Sequence, residues 1–299
     1  IQYYGRSVKD SNGKGYGKIS LARGFELSSN TILVQSVYDS YKNNPKQFVD
    51  RINSYGLNKP LGLPIKGEGV PVIPQPGTNR WSGVALPWMA FGYGLSVTPL
   101  QTLTLYNAVA NDGVMVKPIF VSEIKEWNKT IKKYNTEVIN PKICSQETLD
   151  KVQAVLENVV KRGTGSKLYS KDFSMAGKTG TAQVNYKDKS KLYYASSFVG
   201  YFPADEPKYS CIIVVHKPNV AAGYYGADVA GPVFKRIAQK IFTDSPSTNH
   251  VKNIDAKVVS QEKSYAEYYK KVEKETRIVP NVKGMSGMDA VALLENLGL

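Results

Sequence analysis

Three strand-like segments follow one another in this chain: MAGKTGTAQV (175–184), SSFVGYFP (196–203) and YSCIIVVHKP (209–218). β-Branched and aromatic residues dominate them, and the turns between hold Lys/Asp and Asp-Glu-Pro. Neighbouring strands joined without a crossover helix run antiparallel. Helical patterns stand on either side. Ser145 is placed to cap a run in which Leu149, Val152, Leu156, Val159 and Val160 share one face. Lys161 and Arg162 fill its last turn and Gly163 ends it. Downstream, GPVFKRIAQKIF sets Val233, Phe234, Ile237 and Ile241 on one side. The order predicts an α+β domain, an antiparallel sheet flanked by helices.

The remaining segments fit around that sheet. Residues 18–42 read as a helix in two pieces, broken at Ser28-Ser29-Asn30, residue types that favour caps and turns. Residues 57–79 are a Gly/Pro-rich loop. Thr98-Pro99 opens another helix that stops at Gly113, and 117–139 alternate like a hairpin around Asn128. Residues 244–277 turn polar and charged, a linker or exposed helix. Residues 278–299 begin a strand and a helix, too short a stretch to bury a core of its own. The predicted division is therefore 1–243, 244–277 and 278–299.

Bulk properties exclude several functions. The chain has 299 residues, 42% of them hydrophobic, enough for one large or two modest domains. No apolar run reaches the roughly 18 residues of a membrane span. Ile1 is not a natural start, so the chain is expected to be a fragment or a processed form. The net charge is +14, yet no Lys/Arg stripe with interleaved aromatics stands out. The nearest, KSYAEYYKKVEK (263–274), also carries Glu267 and Glu273 and reads as solvated, so no nucleic acid is expected. Cys144 and Cys211 are too few for a disulfide framework, and Cys211 reads as part of a buried strand. The only histidines, His216 and His250, form no cluster at zinc-ligand spacing and give little support to a Ser-His-Asp triad.

Residues 176–182, AGKTGTA, carry the chemistry. Gly-Lys-Thr ends the Walker A pattern, but that pattern needs a glycine where Asp172 stands and a helix where β-branched Thr179, Thr181 and Val184 follow. The other use of Lys-Thr-Gly is as one of three elements in serine acyl-transfer enzymes, with Ser-x-x-Lys and Ser-x-Asn. Ser28-Ser29-Asn30 supplies a Ser-x-Asn upstream of Lys178. Taken alone, Ser28 and Asn30 are also readable as helix caps, and Lys178 as a surface lysine.

The longer stretches are more specific. RWSGVALPWMAFGYGLSVTPLQ (80–101) resembles the segment between these motifs in class B, division-type penicillin-binding proteins. AGKTGTAQV resembles their third motif, and YYGADVAGPVF (224–234) the segment before their last helix. VPNVKGMSGMDAVALLENLGL (279–299) is similar to the opening of a PASTA domain. The resemblance runs from about Gly15 to the end of the chain.

It implies a penicillin-binding, serine β-lactamase-like fold and a D,D-transpeptidase of septal peptidoglycan synthesis. In that family a serine attacks the penultimate D-Ala carbonyl of a stem peptide, and an amine from a second stem takes the acyl group. β-Lactams acylate the same serine. Implied partners are stem peptides ending in D-Ala-D-Ala, β-lactams, a membrane glycosyltransferase and division proteins. No cofactor or metal is implied. The implied location is the extracytoplasmic face of the inner membrane, with an anchor upstream.

By this resemblance Ser28, Asn30 and Lys178 are the catalytic candidates. Lys178 would favour the neutral form of a base lysine, Ser28 would pass a proton to the leaving amine, and Asn30 would hold lysine and substrate. Ser29, Thr179, Gly180, Thr181, Ala182, Tyr93, Tyr225 and Gly226 are the substrate-binding candidates. The Thr181 N–H would form half of an oxyanion hole, and the β-strand edge would pair with an extended peptide. Tyr93, Tyr225 and Gly226 read equally well as core or loop packing. The nucleophile is expected to lie outside this chain. The Ser-x-x-Lys matches Ser122–Lys125 and Ser260–Lys263 stand in the wrong order and context. A non-catalytic scaffold or β-lactam sensor is the alternative, and a hydrolytic β-lactamase a third.

Overall fold

The computed structural model describes residues 1–185, 188, 190–244 and 282–285. The chain divides into two compact units, Ile1–Asp244 and Ser245–Leu299. Of the second, one turn is described, closed by the Met285 N–H donating to the Val282 carbonyl. Apart from that turn, the linker and PASTA-like readings lie outside the described residues, as do Ser260–Lys263 and His250.

The first unit opens with a short hairpin, β1 (Gln2–Tyr3) and β2 (Arg6–Ser7). Helices α1 (Leu21–Glu26), α2 (Asn30–Tyr41) and α3 (Pro45–Ser54) follow. A long loop leads to α4 (Ala85–Met89) and α5 (Pro99–Ala110). Next come β3 (Met115–Val116), the hairpin β4 (Glu123–Glu126) and β5 (Lys129–Lys133), and β6 (Val138–Asn140), which pairs with β3. Helix α6 (Gln146–Arg162) precedes β7 (Ala176–Val184), β8 (Tyr193–Phe202) and β9 (Tyr209–His216). Helices α7 (Gly226–Val229) and α8 (Gly231–Asp244) close the unit.

Local chemistry sets the helix ends. Thr98 and Gln101 form a reciprocal capping box on α5, with Pro99 in the first turn where its missing N–H costs nothing. Ser145 accepts from the Thr148 N–H at the start of α6, and Gly163 ends that helix. Each such cap is worth about 1 kcal/mol.

The three long strands form one antiparallel sheet in the order β7-β8-β9, with Lys178 opposite Val199 and Phe198 opposite Ile213. The two-residue repeat of β8 splits its side chains between two cores. Tyr201 packs with Ala176, Ala108 of α5 and Leu156 of α6. Phe198 and Phe202 pack with Phe234 and Ala238 of α8. Burying each of these phenylalanine side chains contributes about 1.5–3 kcal/mol. Strand β9 departs from the expected buried strand: its interior residues are half-buried and its ends exposed. Among the described residues only β8 pairs with it. Cys144 and Cys211 are free, half-buried thiols, and His216 is exposed at the end of β9. Among the described residues no helix is long and apolar enough to cross a membrane.

Candidate active site

Between α1 and α2 the chain makes one sharp step. Ser29 is the N-cap of α2, its Oγ accepting from the Ile32 N–H at 3.3 Å. The same hydroxyl donates to Asp10 Oδ1 at 3.0 Å. The buried Asp10 carboxylate also takes the Thr31 N–H and hydroxyl, at 3.0 and 2.8 Å. Ser29 is thus fully buried in holding α2 in place and does not line the cleft, contrary to its expected substrate-binding role. Ser28, one residue earlier, sits at φ 55°, a left-handed conformation uncommon outside glycine. Asn30 lines the cleft, its Nδ2 donating to the Lys9 carbonyl at 3.0 Å.

Lys178 meets this step from the sheet. Its Nζ donates to Ser28 Oγ at 2.5 Å and to the Thr179 carbonyl at 3.2 Å. It stands 5.7 Å from the centre of the Phe25 ring, within cation–π range. Burial pushes its pKa down to about 8. No ion-pair partner for it is found among the described residues. Gly177-Lys178-Thr179 lies inside β7, not at a helix N-terminus, which removes the phosphate-loop geometry.

The open edge of β7 forms one wall. The Gln183 N–H donates outward to the Tyr93 hydroxyl at 3.0 Å. Strand N–H groups repeat every second residue on one side, so the Thr181 N–H falls on this same edge. Thr181 Oγ1 accepts from the Gly226 N–H at 3.0 Å, and Thr179 Oγ1 lies 2.8 Å from Thr164 Oγ1. Packing alone already calls for glycine at 180. A Cβ there would stand 2.5 Å from Ser197 Oγ. A Cβ on Gly226 would stand 2.5 Å from the Gly180 carbonyl oxygen. Ala182 is exposed and, like Gly180, does not line the cleft.

The cleft has a volume of about 560 Å³. Ser28, Asn30, Thr179, Thr181, Tyr93, Tyr225 and Gly226 line it together. Sequence reasoning missed Ser11, Thr164, Lys167, Gln183, Tyr194, Tyr224 and Asp228, which also line it. Tyr224 stacks on Tyr194 and Tyr225, with ring centres 4.1 and 4.5 Å apart, and Lys167 pairs with Asp228 at 2.8 Å. The Gly163-Thr164-Gly165 signal read only as a helix stop. Among the described residues no group of three or more His, Cys, Asp or Glu side chains is placed to hold a metal.

Ser28, Asn30 and the β7 residues Thr179, Thr181 and Gln183 line one cleft, and Lys178, which is not itself among the lining residues, is bonded to Ser28; comparison with known proteins decides the family. Residues 1–239 match the penicillin binding protein transpeptidase domain. The chain belongs to that family. It is 31% identical over 255 residues to stage V sporulation protein D of Bacillus subtilis, covering 83% of this chain and 36% of that protein. It is 31% identical over 191 residues to the peptidoglycan D,D-transpeptidase FtsI of Escherichia coli, covering 63% of this chain and 30% of that protein. The crystal structure of penicillin binding protein 3 from Mycobacterium tuberculosis superposes with a TM-score of 0.70 at 28% identity. That match covers 82% of this chain and 56% of the other, which has also been solved in complex with aztreonam. This transpeptidase-family chain thus spans about a third of the length of those two curated relatives. The class B type read from residues 80–101 agrees with these relatives.

Proposed function

We propose that this chain is part of a peptidoglycan D,D-transpeptidase that cross-links stem peptides in septal wall synthesis and is acylated by β-lactams. The observation that carries the proposal is the Lys178–Ser28 contact at a cleft bounded by the open edge of β7. A relative named peptidoglycan D,D-transpeptidase and a similar structure bound to aztreonam support it.

In the proposed reaction a serine Oγ forms a bond to the penultimate D-Ala carbonyl carbon. The C–N bond to the terminal D-Ala breaks. The serine proton passes through a base lysine and the Ser28 hydroxyl to the departing amine. An acceptor amine then forms the new amide and releases the serine. Lys178, held near Ser28, supplies positive charge to the base lysine and the developing oxyanion. The Thr181 N–H supplies one oxyanion-hole donor. The open β7 edge aligns the extended peptide.

The nucleophile comes from a segment outside this sequence. Ser122 is exposed beside the β4–β5 hairpin, where its carbonyl accepts from the Tyr134 N–H, and it does not line the cleft. The proposed site of action is the extracytoplasmic face of the inner membrane, beside a glycosyltransferase and division proteins. Labelled penicillin tests the reading. The intact protein should take one label at a Ser-x-x-Lys serine outside this sequence, and this chain alone should take none. A label on one of this chain's own serines, or none on the intact protein, refutes the proposal, the latter in favour of a non-catalytic scaffold.

A further inference from the structure

Glu26, the last residue of α1, lies two residues before Ser28 and does not line the cleft. Its side chain is 1% exposed and held by two guanidiniums. Arg162 grips it with both ends of its fork, Nε to Oε2 at 3.1 Å and Nη2 to Oε1 at 2.8 Å. Arg23 Nη1 adds a bond to Oε2 at 2.8 Å and another to the Arg162 carbonyl at 3.1 Å. The main chain is tied at the same point, the Thr164 N–H donating to the Glu26 carbonyl at 3.0 Å. Gly163 packs so closely that a Cβ there would stand 2.3 Å from that carbonyl oxygen. Thr164 in turn reaches Thr179, the residue after Lys178.

We propose that Glu26 is a positioning residue, clamping the end of α1 to the end of α6 and so fixing both sides of the Ser28–Lys178 contact. Helix α1 has six residues, too few to hold its own geometry in water. The left-handed φ of Ser28 persists only where its surroundings over-determine it. A paired Arg–carboxylate contact fixes direction as well as distance, which a hydrophobic contact does not. The clamp bears on the strand side as well, through Thr164.

This inference rests on the transpeptidase reading. Its test is single-turnover acylation of the intact protein by a fluorescent penicillin, resolving the dissociation constant from the acylation rate constant. Glu26→Gln and Arg162→Lys are compared with wild type, with thermal melts and burst amplitudes reporting the folded fraction. Arg162→Lys keeps the charge and loses the fork, so it decides the matter where Glu26→Gln does not fold. The expected result is an acylation rate constant lower by about tenfold or more at a dissociation constant unchanged within about threefold. An unchanged rate constant in a folded variant, or a loss confined to amplitude and melting temperature, overturns the clamp and leaves the transpeptidase reading intact. A wild-type protein that takes no label overturns the transpeptidase reading, and the clamp with it.

Discussion

Lys178 Nζ and Ser28 Oγ, 150 residues apart in the chain, stand 2.5 Å from each other. The contact joins an ammonium held in a half-buried strand to a hydroxyl held at a strained helix junction. Lys178→Ala in the intact protein should therefore slow penicillin acylation by roughly 10²–10⁴, the usual scale for a positioned charge or proton-transfer group. Stopped-flow acylation measures it, and an unchanged rate would remove Lys178 from the mechanism. If the charged form is what matters, acylation falls as pH rises through about 8, where burial has moved this ammonium.

The same burial makes Lys178 a liability for stability. Its folded pKa, about 8, lies below the ordinary value of 10.5. The unfolded chain therefore holds more protons between those values, and stability rises with pH across that window. The cost is fully present below about pH 8 and vanishes as pH climbs past the ordinary value. Lys178→Met should raise the melting temperature relative to wild type at pH 7, with the difference shrinking between pH 8 and 10.5. The lost bond to Ser28 opposes this by about 1 kcal/mol, with little dependence on pH. A difference that stays constant across the window would refute the desolvation account.

Glu26 titrates in the opposite sense. Burial acts to raise its pKa, but the bonds and charges of Arg162 and Arg23 outweigh that and hold the carboxyl below its usual range. Its contribution to stability is present above the unfolded value and is lost as pH falls through the lower folded value. Both arginines keep some solvent contact, so Glu26→Gln should cost about 2–3 kcal/mol at pH 7, less than breaking a fully buried pair. Urea midpoints across pH 3–7 check this: the gap between variant and wild type should close at the acid end.

The fold was legible where local chemistry decides it. Thr98 and Ser145 mark helix starts because their hydroxyls accept a first-turn N–H, Gly163 marks a helix end, and β7, β8 and β9 follow from strand chemistry. Helix α3 was not read, and its cap residue Asn44 makes no side-chain bond. Within Ser28-Ser29-Asn30 the Ser-x-Asn spacing singles out Ser28 but could not say that Ser29 turns away from the cleft. That turn is set by Asp10, which takes Ser29 inward. The Glu26–Arg162 contact spans 136 residues and leaves no periodicity to find. Thr164 became visible only once α1, α6 and β7 stood together.

The last wall of the cleft depends on Gly226. A Cβ at this position would lie 2.2 Å from the Ser197 carbonyl oxygen and 2.5 Å from that of Gly180. Both obstacles are main chain of the central sheet and cannot swing aside as a side chain would. Gly226→Ala must therefore push α7 away from β7, breaking the Gly226 N–H bond to Thr181 and moving Tyr225 with it. The expected cost is about 1–3 kcal/mol, the usual range for overpacking. Penicillin binding to the intact protein should weaken, because two lining residues shift together. Ala182→Ser is the stability control: Ala182 is exposed on β7, the strand that carries Gly180, and does not line the cleft, so it should change stability by no more than about 0.5 kcal/mol. Melting temperatures and a labelled-penicillin titration separate the two variants. Equal behaviour would mean that α7 yields without cost and that the Gly180–Gly226 contact does not shape the cleft.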